Sequence, residues 1–345
     1  MKAGYLRAPF EFEVRDVQLR EPDRDEVLVR IKASGFCGSD RLAAEFGSRE
    51  WQSFGHEMAG IIEAVGADVT DLKVGDKVTI QSSSFSQTAE VARNGRVDLD
   101  RYGPNYIMPD LISMGFAEYA ITKAYFCVKF DGISFEEACM IEPLGVAEDL
   151  VVTADVKIND DVLIVGLGSI GLMTMQLAKA RGARKVYAAM RSGADRRYEL
   201  AKELGADEII ITDQTSLVDY PFEKGGVDKV LIAAATPTTI PDSLKVCNIG
   251  AIIAFISIVF SEAGEGGEAL VPLDCNLIHR RKMQLRGSNA IPALYFPRCL
   301  DLVKAGKVNI APLVSHRCTL DNMVEVLNEY INDRKGGVKA ILVQD

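Results

Sequence analysis

The chain has 345 residues, 48% of them hydrophobic and 26% charged, with 29 glycines and 12 prolines. That length predicts two domains, and that composition excludes a disordered or fibrous chain. The net charge of −10 excludes a global attraction for nucleic acid or anionic membranes.

From the N-terminus, Met1-Lys2-Ala3-Gly4-Tyr5 has no signal-peptide core, so a cytoplasmic location is expected. Residues 1 to about 150 read as strands and turns. Glu26 to Lys32 alternates, and Gly60 to Gly66 and Val74 to Ile80 follow, each punctuated by Gly or Asp. This predicts an all-β barrel or sandwich. Residues 81–113 read as an irregular polar loop, and Ala124 to Phe130 as a strand.

The character changes near Asp160. Asp161 to Val165 is a continuous apolar strand of the buried parallel type. Ser169 to Arg181 has helical spacing, with Ile170, Met173, Leu177 and Ala178 on one face. Lys185 to Met190 is the next strand and Asp195 to Leu204 the next helix. Glu208 to Ile211, Val227 to Ala233 and Ala251 to Ser257 continue as strands. Alternating β and α elements predict a doubly wound parallel sheet. The last part carries helices at Tyr295 to Lys304 and Leu320 to Asp333 and a strand at Val338 to Val343. The longest apolar run, Ala251 to Phe260, is shorter than the roughly 20 residues needed to span a bilayer.

The seven cysteines are Cys37, Cys127, Cys139, Cys247, Cys275, Cys299 and Cys318, an odd number without C-x-x-C. They predict no disulfide framework, and most read as buried small hydrophobes. The histidines are His56, His279 and His316.

Gly166-Leu-Gly168-Ser169-Ile170-Gly171 matches G-x-G-x-x-G, after a buried strand and at the start of a helix. That context makes it a dinucleotide site. Gly166 allows the tight turn, Gly168 lets the backbone approach a pyrophosphate, and Gly171 permits close helix–strand packing. An NAD site usually places a carboxylate at the end of the second strand. Here Met190-Arg191-Ser192 stands there, with no carboxylate until Asp195 and with Arg196 and Arg197 following. Arg191, Ser192 and Arg196 are therefore expected at a 2′-phosphate, and NADP is expected over NAD. The alternative is that the helix arginines are only solvated.

Cys37, in Gly35-Phe-Cys37-Gly38-Ser39-Asp40, and His56, in Gly55-His56-Glu57, offer a thiolate and an imidazole from loop positions. Zinc prefers such ligands, and a carboxylate can complete the set. Glu142, beside Pro143, is a candidate from a turn.

The motif series G-x-C-G-S-D, G-H-E, V-G-D-K-V, E-P-L and G-x-G-x-x-G resembles the zinc-dependent medium-chain dehydrogenase/reductase (alcohol dehydrogenase) family across essentially the whole chain. It is most similar to the sorbitol dehydrogenase, ketose reductase and sugar dehydrogenase branch. The resemblance implies a GroES-like β-barrel catalytic domain, residues 1–148 and 290–345, and a Rossmann domain, residues 149–289. It implies zinc ligands at Cys37, His56 and Glu57, with Glu142 ligating directly or through water, and a proton-relay hydroxyl at Ser39. Ser288 and Asn289 join the cofactor-contacting set, where polyol dehydrogenases often carry an Arg-Tyr pair. Residues 81–113 contain no cysteine, so no structural zinc is expected beside the catalytic one. The short segment from Cys37 to His56 carries Arg41, Arg49, Trp51 and Phe54, which implies a different substrate pocket. The strand Ala251 to Phe260 is expected to pair across a two-fold axis in a homodimer or homotetramer.

The activity so implied is hydride transfer between NADP(H) and the alcohol or ketone of a polyol or sugar-like substrate. The alternatives are a dehydrogenase of a sugar phosphate or simple alcohol, and a non-catalytic nucleotide-binding sensor on the same fold. Neither nucleic acid nor a membrane is an expected partner.

Overall fold

Asp161–Val165 is buried at every residue. A strand covered on both faces belongs inside a parallel sheet. Six parallel strands run in the order Glu208–Ile211, Lys185–Met190, Asp161–Val165, Val227–Ile232, Cys247–Phe255 and Gln284–Gly287. This is the order of the doubly wound dinucleotide fold. Asp161 can open a buried strand because Arg184 grips its carboxylate, Nε on Oδ1 at 2.6 Å and Nη2 on Oδ2. A fully paired charge avoids the desolvation cost of a lone one.

The computed structural model describes all residues except 82–85, 87, 101–113, 259–269, 290–292 and 334. Two compact units emerge. One holds residues 1–145, 290–305 and 310–345, the other residues 146–289 and 306–309.

In the second unit the helices Ser169–Ala180 and Asp195–Glu203 follow the first two strands. Its core gathers Leu163, Tyr187, Val230, Ile232 and Ile253, all at most 1% exposed. Gln284–Gly287 was not expected as a strand. It forms one edge of the sheet and makes Cys247–Phe255 an interior strand, bonded on both sides. The expected two-fold pairing through Ala251 to Phe260 is therefore corrected. Ala251 to Ala254 are buried within the sheet, and Val259 and Phe260 lie outside the described residues.

Among the described residues the first unit contains two sheets. The larger runs Val314–Cys318, Lys339–Val343, Glu26–Gly35, Glu57–Val65, Lys77–Ile80 and Cys127–Lys129, with Tyr119–Lys123 also paired to Glu26–Gly35. The smaller joins Glu11–Asp16, Lys2–Arg7 and Gln52–Ser53. Phe12, Phe36, Phe54 and Phe116 pack into one aromatic cluster, with Phe54 stacked on Phe116 at 4.4 Å between ring centres. Residues 81–113 hold a helical turn, Glu90–Arg93, and a 3-10 turn, Val97–Leu99. The rest of that stretch is partly outside the described residues. Residues 141–153 form a helix, Ile141–Thr153, where a turn was expected. Pro143 fits because a helix's first turn needs no N–H partner. Among the described residues no helix is long and apolar enough to cross a membrane.

Candidate functional site

The strand Glu26–Gly35 delivers Phe36 into the aromatic core and Cys37 to the start of a short helix, Gly38–Leu42. Gly55, with φ of +91°, turns the chain so that His56 precedes and Glu57 opens the strand Glu57–Val65. Gly35 sits opposite Glu57 in the ladder. A Cβ at Gly35 would lie 1.8 Å from Glu57 Oε2. The glycine is what lets the carboxylate fold over the strand.

Ligand atoms of Cys37, His56 and Glu57 lie within 4.8 Å of one another. His56 and Glu57 are buried and Cys37 is partly so. Asp40 links both loops: it accepts from the Cys37 N–H at 2.9 Å and lies 3.5 Å from His56 Nδ1. Burial works against a charged His56. The Cys37 thiolate and then the Asp40 carboxylate outweigh it and hold the imidazole well above its usual range. Behind Glu57, the buried Lys339 places Nζ 2.5 Å from each carboxylate oxygen and 3.3 Å from the Phe36 carbonyl.

One buried oxygen here, Ser39 Oγ, has no hydrogen-bond partner. Buried polar atoms that the protein leaves unpaired suit a bound ion and its ligand. A thiolate, an imidazole and a carboxylate form a donor set that zinc accepts, with a fourth position open. The residues present fit zinc. Glu142 is buried in the first turn of Ile141–Thr153 and is not part of the three-residue group.

In the second unit a cavity of about 630 Å³ opens at the carboxyl ends of the strands. Gly166, Gly168, Met190, Arg191, Ser192 and Arg197 line it. Gly166 has φ of +92°, and a Cβ on Gly171 would lie 1.8 Å from the Gly166 carbonyl oxygen. The first and third glycines thus serve the turn and the packing, and Gly168 fronts the cavity.

A family model described as "Alcohol dehydrogenase GroES-like domain" matches residues 23–132, and one described as "Zinc-binding dehydrogenase" matches residues 169–305. The L-idonate 5-dehydrogenase of Vitis vinifera is 30% identical over 327 residues, 90% of this chain and 86% of that protein. The chain belongs to the zinc-dependent medium-chain dehydrogenase/reductase family. It is an oxidoreductase of the zinc-containing, nicotinamide-dependent class.

Two solved structures share the whole architecture of this dehydrogenase. One, described as a short chain alcohol dehydrogenase from E. coli CFT073 complexed with NADH, has a TM-score of 0.88 at 26% identity, covering 100% of this chain and 99% of that one. The other, a putative zinc-binding dehydrogenase from Sinorhizobium meliloti 1021 bound to NADP, has a TM-score of 0.85 at 28% identity, covering 99% of each chain.

Several expected site residues fall elsewhere in the dehydrogenase. Arg196 is not in the cavity lining, and its guanidinium lies 3.8 Å from Glu203 along the same helix. Arg197, one position on, takes its place. Ser169, Ile170 and Gly171 form the helix start that follows Gly168. Ser288 and Asn289 follow the edge strand Gln284–Gly287, and the Ser288 hydroxyl donates to Asp149. Ser192 lines the cavity, but its N–H and O–H both donate to Asp213. A carboxylate therefore does stand at this strand end, supplied by the neighbouring strand. In the first unit Trp51 lies between the guanidiniums of Arg7 and Arg15, at 4.7 and 5.0 Å, and Phe54 is core. Both make contacts that hold the fold.

The sequence alone assigns no role to Asp40, Lys339 or Asp213, and Arg197 stands in it only among the arginines that follow Met190. Asp40 stood inside the quoted G-x-C-G-S-D run. Lys339 is a lone charge in an apolar stretch, which signals a buried pair.

Proposed function

We propose that this dehydrogenase transfers a hydride between NADP(H) and the secondary alcohol or ketone of a polyol or sugar-like substrate, using one zinc held by Cys37, His56 and Glu57. The approach of those three ligand atoms to within 4.8 Å of one another carries the reading. The relative named for L-idonate supports a polyol-like substrate. Zinc bound there would supply a Lewis acid for the substrate oxygen. The nicotinamide would supply the hydride acceptor or donor.

The chain's own residues do the rest. Ser39 Oγ, buried and without a protein partner, is free to hold the substrate hydroxyl and relay its proton, accepting it while passing its own on to the cofactor ribose or to water. Asp40 orients His56 through Nδ1, and Lys339 fixes the Glu57 carboxylate. Nicotinamide absorbance across a panel of polyols, aldoses, ketoses and their phosphates tests the substrate class. Turnover confined to simple alcohols would contradict it.

NADP preference is supported by Arg191 and Arg197 on the lining of the adenosine-side cavity. Charge-assisted contacts to a 2′-phosphate favour NADP by about tenfold or more. Changing Met190 to Asp together with Arg191 to Leu is expected to reverse the kcat/KM ratio of NADP to NAD. Equal use of both cofactors by the unmodified enzyme would contradict the NADP preference.

This reading includes a homodimer or homotetramer, and light scattering giving only the 37.6 kDa monomer would remove that part. It also includes a cytoplasmic location, supported by seven free cysteines. Burial pushes Cys247 and Cys318 up to about 12, as expected of inert core thiols. Cell fractionation checks the location.

A further inference from the structure

The strand Lys185–Met190 ends without a carboxylate, and its parallel neighbour Glu208–Ile211 supplies one. Met190 pairs with Ile211 in the ladder, and the Thr212 N–H donates to the Met190 carbonyl at 2.8 Å. Two residues past the end of each strand, Ser192 and Asp213 face each other. The Ser192 N–H donates to Asp213 Oδ1 at 2.7 Å, and the Ser192 O–H donates to Oδ2. Those two bonds, with Arg191 as a lesser contributor, keep the exposed Asp213 carboxyl below the usual range.

Ser192 has one hydroxyl proton and one backbone N–H. Both are engaged by Asp213. What the hydroxyl presents to the cavity is therefore its lone pairs. Lone pairs accept from a ribose 2′-OH and repel a phosphate oxygen. The Asp213 charge adds repulsion from behind. Any 2′-phosphate at this loop is left to Arg191 and Arg197, against a carboxylate and a serine turned the wrong way.

We propose that Asp213 is a cofactor-specificity residue, which withholds the two donors of Ser192 from a 2′-phosphate and so limits the preference for NADP over NAD. This rests on the reading that the adenosine ribose binds beside Arg191 and Ser192. It does not require that the unmodified enzyme prefer NADP.

The test is the dissociation constant of the full-length enzyme for NADP+ and for NAD+, read by calorimetry, which needs no substrate. Asp213→Ala frees both donors and removes the charge. It is expected to raise the ratio Kd(NAD+)/Kd(NADP+) by about tenfold. Asp213→Asn removes the charge and keeps the shape, so a smaller shift in the same direction is expected; it carries the test if the alanine variant does not fold. A ratio that moves less than twofold, or moves toward NAD+, overturns the proposal. Arg191→Leu with Arg197→Leu separates the two ideas. If these leave NADP+ affinity unchanged while Asp213→Ala still raises it, the arginine reading fails and the Asp213 assignment stands. If they weaken NADP+ and Asp213→Ala does nothing, the reverse holds.

Discussion

Replacing Cys37 by Ala is expected to lower kcat by about 10³-fold or more and to reduce the zinc content of the purified protein. Polarising the reacting oxygen is worth several kcal/mol, and each 1.36 kcal/mol is tenfold in rate. Cys37 supplies the sulfur of the three-residue group. Elemental analysis of the unmodified enzyme should give one zinc per chain, since residues 81–113 lack the cysteines of a second site. Two zincs per chain, or none after gentle purification, would contradict the site. The variant should still bind nucleotide, because the cavity belongs to the other compact unit. The lone tryptophan, Trp51, lies in the unit that holds the cluster, so its fluorescence reports whether that unit remains folded. Turnover within tenfold of the unmodified enzyme would sink the assignment of Cys37 as a ligand.

How much of this was legible in the sequence depends on how local the cause is. Strands Asp161–Val165 and Lys185–Met190 stood out because a strand covered on both faces reads as an uninterrupted apolar run. The glycine turn after the first of them follows from local sterics. Gln284–Gly287 and Val314–Cys318 were missed because edge strands with mixed side chains carry neither an apolar run nor an alternation. Ile141–Thr153 was misread because Pro143 suggested a turn while the helix itself is apolar on most sides. At the metal group, the residue types at Cys37 and His56 were visible, but their approach depends on Gly35 lying opposite Glu57, a matter of register. Asp213 was invisible for a similar reason. The carboxylate at the end of the strand Lys185–Met190 arrives from the strand beside it, 21 residues on from Ser192.

Lys339 shows the same non-local logic with the largest effect on stability. Its side chain is 3% exposed and that of Glu57 is 0%, so the pair has almost no water to screen it. Burial opposes a charged amine, but Glu57 and then Cys37 hold Lys339 above its usual range. Lys339→Met keeps the stem and deletes the charge. Removing one partner of a buried pair costs about 3–5 kcal/mol, because the other charge is left alone. In metal-free protein that stranded charge is the Glu57 carboxylate. With zinc bound, the same carboxylate faces a divalent cation, and the loss should shrink to less than half. The expected result is a large drop in unfolding free energy after chelation and a small one with zinc, followed in denaturant by Trp51 fluorescence. Equal losses in both states would mean that Lys339 only fills space. A double variant, Lys339→Met with Glu57→Gln, should recover most of the metal-free loss, since deleting both charges removes the unpaired one. If the double variant is instead as unstable as the sum of the two single ones, the pair is not what holds Glu57 over Gly35, and its carboxylate is fixed by packing alone.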